Sequence, residues 1–555
     1  MADIPLYNSA TFLATLQRYL SVSSGATQVN WIAPGTGAIT RTVQQYLQED
    51  HVSIVDFGAK CDGATDDTAA WVAAIASGAN RILIPNNTCI SSNTINVTTN
   101  GVVLFGTDAT VNILTTSGDG VTFTGASYSG LTGLSFVYKN QPTAGNVVKI
   151  TGGCLGCSVS MTAQYHWNGV WVDHASQTKL DVSASYGFGP ATGIHLGGTS
   201  GATVSETTIT YKNPSISPVT VTGFTAYAPS TSMSLGTVTL TGGNFYVCTT
   251  AGTTSVGSPP TGTSGSRFAN NLTDGTVTWR YLSSNTTAHI LIDSNATGTH
   301  ITNSFMSSVA FGVRVIDSLN TGSSYPIGIW FQGEVTQTTA GGLSFEAGKT
   351  VFVSETNISG ILDGNGIQTI SNFVGSFGVS GTVSISGCKS NGIYLNVGSG
   401  FSVNATSVSN TGYGISIGSA TDYVITGCNL VGNTAGTIRG YTSSNTQVYA
   451  NNIPDGTSQL GQNQTWHNVT GSRAVGTTYT NTGSSPITVS VTMTYTTGGS
   501  NNWYLYVNGV AVGFNSGNGS TDTNGTLLAI VPPGATYQAT QNVGSVTLFL
   551  WSELY

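Results

Sequence analysis

Charge is what this chain has least of. Among 555 residues only 7% are Asp, Glu, Lys or Arg, and the 15 basic and 23 acidic side chains leave a net charge of −8. No basic run occurs, which disfavours a nucleic-acid partner. No stretch of eighteen apolar residues occurs either, so membrane insertion is not expected. The opening "MADIPLYNSA" lacks the features of a signal peptide, and synthesis in the cytosol is expected. Proline is sparse, at 15. The seven cysteines are odd in number and irregular in spacing. Cys154 and Cys157 make a lone C-x-x-C, without the second pair or the histidines of a zinc site and without a βαβ context. Buried free thiols are expected there, and neither metal nor other cofactor is expected.

Glycine is abundant, at 72, and Thr, Ser, Asn and Val crowd the rest. Low charge beside 39% hydrophobic residues argues against disorder. It suits an extended β architecture with Thr, Ser and Asn on the outer faces. Repeats sharpen this. "GIYLNVGSGFSVNATSVSNT" opens at Gly392, "GYGISIGSATDYVITGCNL" aligns its glycine at Gly414, and "GTIRG" follows at Gly436, a step of 22 residues twice over. Phe401 and Tyr423 keep the same step. Short β runs and glycine turns at this period, without a leucine consensus, predict an all-β fold, a right-handed parallel β-helix. Related Gly-apolar-x-apolar runs stand at Gly169, Gly193, Gly312, Gly328 and Gly342. The solenoid is therefore expected over 51–452.

Residues 213–284 interrupt the pattern and hold five of the fifteen prolines, which predicts a small inserted β module. Residues 465–555 follow the turn-rich "NNIPDGTSQLGQNQ", and their alternating runs predict a C-terminal β-sandwich that stabilises an oligomer and is a candidate sugar binder. An open solenoid end exposes strand edges. In "VSIVDFGAKCDGATDDTAAWVAAI", Asp66 and Asp67 precede a helix expected over 66–77, with Ala70, Trp71, Ala74 and Ile75 on one face and Gly78 at its end. The two aspartates read as caps of a lid over the first coil.

That stretch closely resembles the opening of pectate-lyase-like β-helices in bacteriophage tailspikes, in its Asp-Phe-Gly-Ala, Asp-Gly and Thr-Asp-Asp elements. "PGTGAITRTVQQYLQEDHVSIVDFGA" resembles the neck of tailspikes and fibres, "YVCTTAGTT" and "LTDGTVTWRYL" a small phage-fibre module, and the end of the chain a β domain of tail proteins. The resemblance implies a homotrimer in the virion that recognises, and usually cleaves, a bacterial surface polysaccharide. Cys61 departs from the small apolar residues usual in that loop. Residues 1–50 offer only "SATFLATLQRYL" and "TRTVQQYLQED" as helices, too little for a full particle-binding head, so attachment is expected through another tail protein.

Strand alternation supplies candidates for the chemistry. It sets Trp171, Asp173, His195, Arg314, Trp330, Gln332, Ser344 and Tyr394 outward. An outward tryptophan beside an amide or carboxylate suits a sugar, the ring covering its apolar face; packing at a subunit interface is the plain alternative. Glycoside hydrolysis needs two carboxylates, and carboxylates are scarce. The densest outward set is Glu334, Glu346, Glu355 and Asp363, beside Trp330. A 22-residue shift stacks Phe352 on Trp330 but puts Glu355 beside Gly333, at a turn. Asp173, Asp181, Asp293 and Asp317 rank lower. A lyase would need a base such as Arg314 or His195, with no dense acidic cluster to hold calcium, and ranks below a hydrolase. A non-catalytic receptor binder needs only the aromatic stripe.

Overall fold

The computed structural model describes residues 18, 29–32, 36–42, 51–185, 192–198, 202–213, 219, 221–257, 260–261, 272–307, 309–321, 323–440, 448–450, 464–483, 485–496, 499–518, 520 and 523–555. The helices expected in the neck fall almost wholly outside them, and so does the linker before residue 464. Between Val52 and Ala450 the chain winds into a parallel β-solenoid of about 13 turns.

Two ladders of inward side chains run its length. One passes through Val148, Val170, Ile194, Ile290, Val313, Leu343, Ile367, Ile393, Ile415 and Ile438. The other passes through Leu180, Ile209, Ile301, Phe331, Val353, Val379, Val403 and Ile425. Parallel pairing repeats each strand at ~4.8 Å, so an apolar position recurring once per coil becomes a continuous column. These columns form one core reaching from Ile54 to Leu430.

The Gly-apolar-x-apolar signature has a packing cause. A Cβ on Gly366 would lie 2.5 Å from Ile385 Cγ2, and one on Gly342 would lie 2.9 Å from Ile358 Cγ2. The glycines make room for apolar side chains arriving from the facing wall. One of these runs stands apart from the others, and one expectation needs correction. "GIWF" at Gly328 belongs to the second ladder, since Phe331 pairs with Ile301 and Val353. The last repeat also slips by one residue: Gly436 pairs with Tyr413, not Gly414.

The lid helix spans Thr68–Ala76 and buries Ala70, Trp71 and Ala74. Asp67 does not cap it as expected. Its carboxylate accepts the N–H groups of Lys60 (2.7 Å), Cys61 (3.2 Å) and Ile90 (3.0 Å), tying the glycine loop to the next strand. Asp66 carries the helix start, accepting from the Thr68 N–H at 3.1 Å, from the Thr68 hydroxyl and from the Ser92 hydroxyl. A Cys61–Cys89 disulfide closes the same loop, a pairing that the odd count concealed. Cys154 and Cys157 are buried and free.

The described residues between Gly223 and Ser284 build a five-stranded sheet with its own small core of Met233, Tyr246, Val277 and Trp279. Val221, Val238 and Phe245 pack with Ala310, Phe311, Ala340 and Leu362 of the solenoid. The last 90 residues form two four-stranded antiparallel sheets around Val489, Val491, Trp503, Val531 and Trp551.

Candidate functional site

The residues singled out by strand alternation do not converge. They divide between the outward columns of the two ladders.

Along the first ladder, Lys149, Trp171, His195, Leu291, Arg314, Ser344, Gln368 and Tyr394 stand one coil apart. The Lys149 ammonium lies 4.3 Å above the Trp171 ring, which stacks on His195 at 5.4 Å. His195 Nε2 is 3.5 Å from Asp293 Oδ2. Burial pushes the Asp293 carboxyl up, but hydrogen bonds from His195 and from the Ser318 and Ser294 N–H groups outweigh it and bring it to about 2. Trp171 donates its indole N–H to the Gly197 carbonyl at 2.9 Å. Arg314 grips Glu346 with two parallel hydrogen bonds of 2.6 and 2.9 Å. Two expected exposures fail: Asp173 is buried, and Ser344 is covered by Gln368, whose amide donates to its hydroxyl at 2.9 Å. This column is largely satisfied within the fold: indole, carboxylates and guanidinium already have partners.

The second ladder presents a different surface. Its outward column is His300, Trp330, Phe352 and Gly378. His300 and Trp330 stack at 4.3 Å and 7°, and Trp330 and Phe352 at 5.9 Å and 19°. Trp330 is thus sandwiched between its neighbours, and the outer edges of the rings stay open, with Trp330 36% and Phe352 42% exposed. Glycine makes the platform fit: a Cβ on Gly328 would lie 3.2 Å from the Trp330 ring, and one on Gly378 would lie 3.0 Å from Phe352. His300 is the member that alternation overlooked. Its strand reads "ATGTHITNSFMS" without the glycine signature, and only the pairing puts it under Trp330.

Beside this stack runs a line of bulges. The register shifts after Ile301, Phe331 and Val353, where one strand carries an extra residue. Glu355 is that extra residue on its strand, exposed and at φ +44°. Bulges re-aim side chains and occur often at functional sites. Gln332, at the break, donates its amide to the Ser354 hydroxyl at 3.2 Å. Glu334, just past it, pairs with Phe305 and Asn357 and is half-buried. Glu334 and Glu355 thus sit on adjacent strands, offset by two positions. Strand spacing and rise put their backbones ~8 Å apart. Asp363 lies in the loop after these strands, its N–H donating to the Thr339 carbonyl at 2.8 Å. Partial desolvation raises its carboxyl above the usual range, against the pull of the Lys389 ammonium.

The same line continues toward the N-terminal coils as a groove of about 250 Å³ lined by Asp108, Gly133, Ser135, Ser160, Thr162, Asp181, Ser183 and Lys212. Small outward residues create it, and Asp108 (φ +56°) and Gly133 (φ +69°) sit at its register breaks. The pairing Ser183, Lys212, Phe305, Glu334 carries one column out of the groove to the stack. No local motif announces the groove, because it is made by what the side chains lack.

No protein-family model matches the chain, and no curated protein does. Among solved structures, a tailspike protein double mutant of E. coli bacteriophage HK620 is similar with a TM-score of 0.48 and 11% identity, over 98% of this chain and 99% of that one. The A-module of an Azotobacter vinelandii mannuronan C-5 epimerase gives 0.43 and 11% over 71% and 98%. The surface protein and adhesin PfbA of Streptococcus pneumoniae gives 0.40 and 11% over 72% and 99%.

Proposed function

We propose that the chain is a tailspike-like protein that binds a bacterial surface polysaccharide along the second ladder and hydrolyses it there. The observation that carries this reading is the open His300–Trp330–Phe352 stack beside Gln332, Glu334 and Glu355. The exposed ring edges make a continuous apolar strip across three coils against which the C–H sides of pyranose rings pack, and the amide and carboxylates meet hydroxyls. A groove continuing for several coils suits a polymer better than a small molecule.

Glu334 and Glu355 supply the two carboxyls that glycoside hydrolysis requires. Inversion needs the two carboxyl groups ~6.5–9.5 Å apart and retention ~5–5.5 Å; a backbone offset of ~8 Å lets the two side chains reach either. Glu334, the more enclosed, is the general acid in this scheme: it protonates the departing glycosidic oxygen. Glu355, exposed on its bulge, takes a proton from the attacking water. Glu346 is a weaker choice, since Arg314 occupies both of its oxygens. Asp363 has a raised carboxyl but lies on a loop away from the stack.

The test is reducing-end release from surface polysaccharide of a strain that the protein binds. Glu334→Gln and Glu355→Gln should each fold and bind but cleave at least ~10²-fold more slowly. Near-normal turnover by both removes this pair. A product absorbing in the ultraviolet means elimination instead, and intact polymer means a binder without catalysis.

A further inference from the structure

The C-terminal module has two outer faces of different chemistry. On the sheet containing Trp466–Asn468, Val546–Leu554, Ile487–Tyr495 and Asn524–Val531, the exposed large side chains lie at the two edges: Leu528 and Ile530 at one, Trp466 and Phe549 at the other, with a threonine ridge between. On the sheet containing Asn501–Val507, Val510–Gly517 and Thr536–Val543, aromatic rings form a contiguous cluster, flanked by exposed Val510 and Val512. Tyr504 faces Phe514 across the hairpin and contacts it at 5.0 Å, and Tyr506 follows at 5.8 Å from Tyr504. Gln538 pairs with Tyr506, and Thr540 with Tyr504. A cavity of about 390 Å³ opens beside these rings, lined by Thr478, Tyr506, Thr536, Tyr537, Gln538 and Thr540, with Gly509 at its edge.

We infer that this aromatic face is a second binding site, for an uncharged glycan, separate from the solenoid track. Three observations converge. The tyrosines and Phe514 offer half-open ring faces of the kind a pyranose covers, with an amide and hydroxyls at the rim. The Gln538 amide is fixed by donation to the Gly476 carbonyl at 2.6 Å, which leaves its side-chain oxygen able to accept from a ligand hydroxyl. The lining carries no charge. Residues 465–555 contain only Arg473, Asp522 and Glu553 as charged side chains. Arg473 and Glu553 hold each other through bonds of 2.8 Å, and Glu553 also takes the Tyr537 hydroxyl. Asp522 lies outside the described residues. A phosphate, a sulfated chain or a uronic-acid polymer finds no counter-charge in this lining; a neutral, hydroxyl-rich chain needs none.

The test uses the full chain in affinity electrophoresis through gels containing neutral polymers (dextran, galactomannan, arabinogalactan) or acidic ones (alginate, polygalacturonate). Retardation in at least one neutral gel is expected, about tenfold weaker in a Tyr504→Ala/Tyr506→Ala variant. It should be unchanged in Leu528→Ser, on the opposite sheet, and Tyr504→Ala/Tyr506→Ala should still release reducing ends from the surface polysaccharide, so failure here is distinguishable from failure of the solenoid site. Tyr506→Phe, which keeps the ring, should retain most of the binding and guards against a folding artefact. The inference is overturned by no retardation in any neutral gel, by retardation confined to acidic gels, or by insensitivity to the double variant. A change in sedimentation of the double variant without a change in binding overturns it too, assigning the face to contact between copies.

Discussion

At the scale of single residues, position in the ladder decides what a side chain does. Trp171 and Trp330 are both outward tryptophans, yet the Trp171 indole is satisfied by Gly197 and its face is covered by Lys149, while Trp330, sandwiched between His300 and Phe352, keeps its outer edge exposed as part of an apolar strip. Trp330→Ala should therefore weaken polysaccharide binding about tenfold or more without loss of stability, and Trp171→Ala should do the reverse; binding isotherms and thermal melts on the same preparations separate the two. The aspartates of the opening motif are architectural. Asp67→Asn puts an amide group against three backbone N–H donors and should cost ~1–3 kcal/mol in chemical unfolding of the first coils. Asp66→Asn should leave cleavage intact; lost activity with unchanged folding would return Asp66 to the chemistry.

At the scale of elements, the lid and the strands were legible in the sequence to different depths. Helical spacing of Ala70, Trp71 and Ala74 identified the lid, because an amphipathic period survives without knowledge of partners. The 22-residue step identified the coils of the C-terminal half, because Phe401 and Tyr423 repeat there without interruption. What stayed hidden is what only pairing creates: the transfer of Gly328 to the second ladder, the stacking of His300 under Trp330, and the bulge that exposes Glu355. A bulge adds one residue on one strand and leaves no mark in a period of two. The disulfide stayed hidden because Cys61 and Cys89 are 28 residues apart and meet only through one coil of the solenoid. Two measurements address the lid. Trp71→Ala should open the end of the core and cost ~3–5 kcal/mol, and Cys89→Ala should remove a loop constraint of ~3–4 kcal/mol. Both should appear as early loss of the N-terminal coils in hydrogen exchange; uniform loss along the chain would contradict the lid role.

At the scale of the molecule, one continuous core couples distant coils, and buried ionisable groups make it sensitive to acid. His166 and His289 are each held at about 4 by burial, from an ordinary 6.5; for His289, proximity to His166 adds to the effect. Between these values the unfolded chain takes up protons that the folded chain refuses. Stability should therefore be fully present above pH ~6.5, fall as pH drops toward ~4, and level off below, at up to ~1.4 kcal/mol per pH unit for each histidine. Melts from pH 7 to 4 on wild type and a His166→Gln/His289→Gln variant check this, the variant being flatter. The central claim concerns which outward column meets the polymer. Its most direct measurement is a crystal structure of Glu334→Gln with an oligosaccharide released by the wild-type protein. The expected result is sugar rings on His300, Trp330 and Phe352, with a glycosidic oxygen beside residue 334 and a water near Glu355. Sugar seated instead over Lys149, Trp171 and His195, with Trp330 bare, would contradict it.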